Sequence, residues 1–375
     1  MAPSSTTEAA AGSDLEKAGR QSPVYFLALD FYRFLAALGV VMFHYLILAG
    51  YGSNPNLRHL VDFFFILSGF VMMHTYLGLA VGEVKVFLLR RFARIYPLHL
   101  LTFLFFLLYG AARSMATGTQ PARYASDAII PNLLMVHAWN TTSAGTFNFP
   151  SWSISSEWFV YLLFPLFLFL FRRTQSRSHQ WTGGAFLLGL ALALGAAMTL
   201  YDIHTGGRSW TLRTYDWGAI RAVPSFLLGM AIRVLPIPRL RWVAIYPIGA
   251  AYAGLYFLNH LPGQVFILAG GVLIALTSAA KDKGVFDLPQ LKPLSDASYG
   301  IYLLHICIGV ISFNVIGKRL AAVHPAILVA LSVAVTIVAA IICYNWFERP
   351  ARNWIRRSIE PRLTRRRWRR GGSPG

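Results

Sequence analysis

The stretch YFLALDFYRFLAALGVVMFHYLILAG, residues 25–50, decides the fold. As a helix it is long enough to cross a hydrocarbon core of roughly 30 Å at about 1.5 Å per residue. It nevertheless carries Arg33 and, eleven residues later, His44 where hydrocarbon is expected. At about 100° per residue those steps return to within roughly 20° of the starting face, so the two side chains share a stripe and lie about 16 Å apart along the axis. An arginine near the middle of a span costs about 2.5–3.5 kcal/mol, so it should face protein or water and be paired. Asp30, three residues earlier on the same helix, is the nearest candidate partner. Two readings stay open from this helix alone: an internal ion pair beside a hydrogen-bonded histidine, or an active-site stripe.

The composition makes this helix one of many. The 375 residues are 56% hydrophobic and only 13% charged, with a mean hydropathy of +0.52, too apolar for a soluble chain of this length. Apolar runs occur at 24–50, 60–80, 95–112, 153–171, 183–201, 219–235, 242–258, 263–280, 297–317 and 325–347. The expected fold class is therefore all-α, a polytopic membrane helix bundle of about ten transmembrane helices. The sixth to eighth runs are short and joined by Pro-containing loops, and residues 128–136 read as an interfacial helix.

An even number of spans puts both termini on one side, and basic residues choose which. With cytoplasmic termini, 25 of the 34 Lys and Arg face the cytoplasm, 8 face outward, and Arg33 lies within the first span. The formal charge of +19 is thus explained mainly by topology, which argues against a nucleic-acid partner. The chain divides into a disordered cytoplasmic tail at 1–22, a membrane domain at 23–355, and a basic cytoplasmic tail at 356–375. Arginines in that last tail, with Trp354 and Trp368, read as an anchor on anionic lipid. The expected location is the plasma (inner) membrane, multi-pass. Cys307 and Cys343 lie in apolar runs and form neither a disulfide framework nor a metal set; no metal is expected.

Four further clusters carry chemistry. Asp62 to Phe70 reads as a packed helix in which Ser68 and Gly69 allow close contact. Arg90, Arg91 and Arg94 fall on one helical turn at the expected cytoplasmic side, a patch suited to phosphates. Trp152, Ser153 and Glu157 enter the fourth span beside other serines, where the carboxylate could orient a histidine or a hydroxylated acceptor, or simply complement a helix start. The fourth is His305 in the ninth span, followed by Glu348-Arg349-Pro350 at the end of the tenth. The loop before Trp152 interleaves aromatics with amides (Trp139, Asn140, then residues 145–150), which suits a sugar and equally an interfacial belt.

In this order, over about residues 25–355, these motifs resemble the acyltransferase 3 family of integral-membrane O-acyltransferases. The Arg33 and His44 spacing, Arg91 and Arg94, Trp152-Ser153 to Glu157, His305 and Glu348-Arg349-Pro350 carry the resemblance. The chain departs from it at Phe31 and Phe34, where many members have small residues, and it resembles the stand-alone form without a fused esterase-like domain. The resemblance implies acyl transfer, most commonly acetyl, to a hydroxyl of a glycan, lipid-linked sugar or glycosylated small molecule. It implies acyl-coenzyme A as co-substrate, with no permanently bound cofactor. His44 would be the general base and Arg33 would steady the thioester oxygen or the coenzyme. Arg90, Arg91 and Arg94 would hold its phosphates, and Glu157 would orient histidine or acceptor. Asp30, Ser153 and His305 are further candidates. A transporter of a polar or anionic substrate is the competing reading, and a sensor the third.

Overall fold

The computed structural model describes residues 26–175, 181–317 and 324–370, with the backbone alone for 364–370. The expected tail at 1–22 lies outside them. Within the described residues the regular secondary structure is all helical: α1 Leu27–Leu48, α2 Leu60–Tyr76, α3 Val84–Thr117, the short α4 Ile129–Leu133, α5 Trp152–Thr174, α6 Thr182–Thr205, α7 Gly218–Val234, α8 Trp242–Leu255, α9 Gly263–Ser278, α10 Lys292–Gly309, α11 Pro325–Cys343 and α12 Arg349–Arg370. Each of the ten apolar runs is a helix. Among the described residues seven helical segments are long and apolar enough to cross a bilayer, while α8 and α9 are apolar but shorter. The outward faces match this environment: Val335 and Val338 on α11 are 53% and 56% exposed, surface that water would penalise and lipid does not.

Among the described residues the most extensive helix pair is α2 with α7. Two glycines explain how closely they approach. A Cβ on Gly69 would sit 1.9 Å from the Phe226 carbonyl oxygen, and one on Gly229 would sit 1.9 Å from the Ile66 oxygen. Each backbone therefore occupies the space where the other's side chain would be, the small-residue packing expected at Ser68 and Gly69. At one end of this contact Arg221 of α7 forms a fork with Asp62 of α2, Nε to Oδ1 at 3.0 Å and Nη2 to Oδ2 at 2.7 Å. Both residues are 1% exposed.

Two helices extend past their apolar runs. Helix α3 begins at Val84, ahead of the run at residue 95, so its first turns are the basic ones and Pro97 lies inside it. A π-helical turn at Tyr344–Glu348 leads from α11 into α12. The division expected at residue 355 falls within α12, which packs against α3. The segment at 128–136 is α-helical only over Ile129–Leu133, with Ala128 closing the 3-10 turn before it. Met135 ends it with φ 55°, a left-handed backbone that an α-helix does not continue through.

Candidate active site

The arginine turn of α3 opens into a cavity of about 500 Å³, lined also by Arg33 of α1 and by Arg352 and Arg356 of α12. Glu157 is the one carboxylate among the described residues of its lining. It accepts hydrogen bonds from Ser68 Oγ at 3.0 Å and from the Tyr161 hydroxyl. Arg91 donates through Nη2 to the Tyr76 hydroxyl at 3.0 Å, its guanidinium lies 5.2 Å from that ring's centre, and its Nε is buried without a partner. Arg94 lies over Tyr299 at 5.8 Å. Arg90 is paired with Glu360 of α12, and Arg33 with Asp30 at 3.3 Å, as the first helix leads one to expect. Cation–π stacking holds a guanidinium by its face and leaves in-plane N–H groups for an anion.

His44 lines a second cavity, of about 530 Å³. Val61 and Tyr302 line both cavities, so the two meet across these side chains. Tyr302 is held there by its hydroxyl, which donates to the Pro150 carbonyl at 2.9 Å and accepts from Ser153 at 2.8 Å.

The partner of His44 is His305, fully buried on α10. Nε2 of His305 lies 2.9 Å from Nδ1 of His44, and Nδ1 of His305 lies 2.5 Å from the Tyr302 carbonyl oxygen. A carbonyl can only accept, so in a neutral ring Nδ1 of His305 carries the proton and Nε2 accepts. His44 must then donate through Nδ1, which leaves its Nε2 with the lone pair. Tyr45, the next residue on α1, donates to the His305 carbonyl at 2.8 Å and fixes the register between α1 and α10. Glu157, expected to orient the histidine or the acceptor, bonds Ser68 and Tyr161 in the first cavity, and the hydrogen-bond partner of His44 is His305.

The aromatic and amide loop folds into this site. Phe147 is fully buried. Asn148 donates to the Leu303 carbonyl at 3.0 Å, which docks the loop on α10. Phe149 then meets the His44 ring edge-on, with centroids 5.3 Å apart. These three residues are therefore packing and cavity wall, not an interfacial belt. Beneath the loop, His137 stacks on His99 with centroids 5.6 Å apart, and its Nε2 lies 3.1 Å from Ser151 Oγ. Burial, reinforced by His99, pushes the His137 imidazole down to about 3.

The first cavity thus gathers Arg33, Arg90, Arg91, Arg94, Ser153 and Glu157, with Asp30 behind Arg33, and the second joins His44 to His305. Sequence reading missed Arg352 and Arg356 as cavity residues, and Arg221 as the partner of Asp62. The first two sit in a basic run that looks like an anchor, and the third is 159 residues from its partner.

A model of the acyltransferase domain of the Acyl_transf_3 family matches residues 26–345. Acyltransferase MdmB of Streptomyces mycarofaciens is 42% identical over 124 residues, covering 32% of this chain and 31% of that protein. Peptidoglycan O-acetyltransferase OatA of Listeria monocytogenes is 24% identical over 379 residues, covering 90% of this chain and 57% of that protein. Protein 2 in picA locus of Rhizobium radiobacter is 43% identical over 84 residues, covering 21% of this chain and 42% of that protein. The chain spans less than two thirds of the length of each of these relatives. No solved structure matches it significantly.

Proposed function

This chain belongs to the acyltransferase 3 family, and on that premise we propose that it is a membrane-embedded O-acyltransferase. It moves an acyl group, acetyl in the simplest case, from acyl-coenzyme A to a hydroxyl of a glycan, lipid-linked sugar or glycosylated small molecule. The observation that carries the reading is the junction of the two cavities: a polarised histidine pair stands on one side of Val61 and Tyr302, and the arginine cluster stands on the other. Transport alone gives the oriented imidazole no task. The names of MdmB and OatA point the same way.

Arg91 and Arg94 take coenzyme phosphates, because each is held by its ring face and neither has a carboxylate within ion-pair distance among the described residues, Glu348 acting on Arg94 only as a more distant countercharge. Arg90, Arg352 and Arg356 extend that surface along α12. The thioester reaches past Tyr302, and the acceptor hydroxyl enters the second cavity. His44 Nε2 takes the hydroxyl proton as oxygen bonds to the acyl carbon; the carbon–sulfur bond breaks and the thiolate leaves to be protonated. His305 holds His44 in the tautomer that can do this, and Arg33 steadies the donor from the same helix. The excess of basic residues around the arginine end makes that end cytoplasmic in the plasma membrane, so the coenzyme enters from inside.

The test is transfer of radiolabel from acetyl-coenzyme A to candidate glycan and glycoside acceptors in membranes carrying the chain. The reading expects label in an ester with the native protein and none above background with His44→Ala. Transfer undiminished by that substitution contradicts it.

A further inference from the structure

Among the described residues, four arginines and no carboxylate line the cavity that holds His44. Two are neutralised from behind: Arg221 by Asp62, and Arg208 by Asp216 at 2.6 Å. Arg58 and Arg123 have no carboxylate partner among the described residues. Their placement relative to the base is orderly. The His44 ring lies edge-on to Phe43 at 5.0 Å and to Phe149 at 5.3 Å. Arg58 lies over the Phe43 ring at 6.0 Å, and Arg123 over the Phe149 ring at 4.7 Å. The base is thus bracketed by two aromatic rings, each bearing a guanidinium. Arg58 uses its Nε on the Pro55 carbonyl at 2.6 Å, which sets its plane and leaves both terminal nitrogens.

Such an arrangement is a receptor for an anion. A guanidinium held by its face and by one N–H presents the rest of its donor fork to a carboxylate or phosphate. Two uncompensated positive charges in a cavity with apolar walls also raise the local concentration of anionic ligands. The coenzyme's phosphates already have the arginine cavity beyond Tyr302. We propose that the hydroxylated acceptor carries an acidic group, a carboxylate or phosphate, which Arg58 and Arg123 grip while its hydroxyl meets His44. This rests on the acyltransferase reading for the identity of the ligand as an acceptor, but the binding it asserts needs no acyl transfer.

The test is a titration of the purified full chain, without acetyl-coenzyme A, with three matched probes: methyl β-glucuronide, methyl β-glucoside 6-phosphate and the neutral methyl β-glucoside. Calorimetry or saturation-transfer NMR reads the affinity. At least one acidic probe is expected to bind about tenfold or more tightly than the neutral one, the usual scale for a charge-assisted hydrogen bond. The tighter of the two tells carboxylate from phosphate. The preference should vanish in Arg58→Gln/Arg123→Gln and persist in Arg58→Lys/Arg123→Lys. Equal affinity for all three probes, binding of none at millimolar concentration, or a preference that survives the glutamine substitutions overturns the proposal. Should the glutamine variant not fold, salt decides on the native chain: a preference that does not weaken as ionic strength rises overturns it equally. Because no donor is present, a failed preference leaves the radiolabel assay to speak for acyl transfer on its own.

Discussion

The two cavities use the same side chain in different ways. In the first, the α3 arginines come from one helical turn, residues 90–94, and are joined by Arg352 and Arg356 from a second basic helix. In the second, Arg58, Arg123, Arg208 and Arg221 come from separate segments, and a histidine stands among them. The first is a broad cationic surface with one carboxylate among its described lining residues, which under the proposed function serves a polyanion. The second places single charges around one imidazole, which under the proposed function serves a reaction at one hydroxyl. Arginine content alone does not distinguish a binding surface from a reaction chamber; the partner of each guanidinium and the neighbouring groups do.

The contrast can be broken most severely at His44. His44→Ala is expected to lower acyl transfer about 10²- to 10⁴-fold, the scale of a lost general base, while acetyl-coenzyme A binding stays near native; a matching loss of donor affinity would merge the two cavities into one site. Next comes the wall behind the second cavity. Asp62→Ala leaves Arg221 buried and unpaired, so it should destabilise the chain by about 3–5 kcal/mol, read as a lowered unfolding midpoint in detergent. Arg91→Gln should raise the KM for acetyl-coenzyme A about 10- to 100-fold through the lost charged hydrogen bonds, with kcat and the acceptor KM little changed. An acceptor KM that rose equally would refute the division of labour.

The smallest effect concerns the loop that carries Phe149. His137 is near 3 in the folded chain against about 6.5 when unfolded. Between those values the unfolded state binds the extra proton, so stability is complete above about pH 6.5 and falls as pH drops toward 3. The expected slope is about 1 kcal/mol per pH unit, seen as the difference between native and His137→Asn unfolding midpoints at pH 7 and pH 5. Identical pH dependence in the two proteins would remove His137 as the cause.

What sequence reading could reach follows the range of the interactions. Helices are set by local hydropathy, and each of the ten apolar runs folds as one. Arg33 with Asp30, and Arg90 with Arg94, lie within a turn of each other, so their faces could be worked out from helical geometry alone. The starts of α3 and α12 were hidden because arginine-rich turns have no hydropathy signal. The bond between His44 and His305 joins residues 261 apart. Nothing local to either imidazole reveals it. Arg58 and Arg123 looked like two outward positive charges, because their meaning depends on Phe43 and Phe149, which only the folded chain brings against His44.

Donor and acceptor in separate, end-to-end cavities is the claim on which the rest depends, and sidedness tests it most directly. Radiolabelled acetyl-coenzyme A, which does not cross a sealed bilayer, is added outside inside-out and right-side-out membrane vesicles containing the chain and an acceptor on both sides. The account predicts ester formation in the inside-out vesicles only, lost with Arg91→Gln at subsaturating donor. Equal labelling in both orientations, or labelling only in right-side-out vesicles, would contradict it.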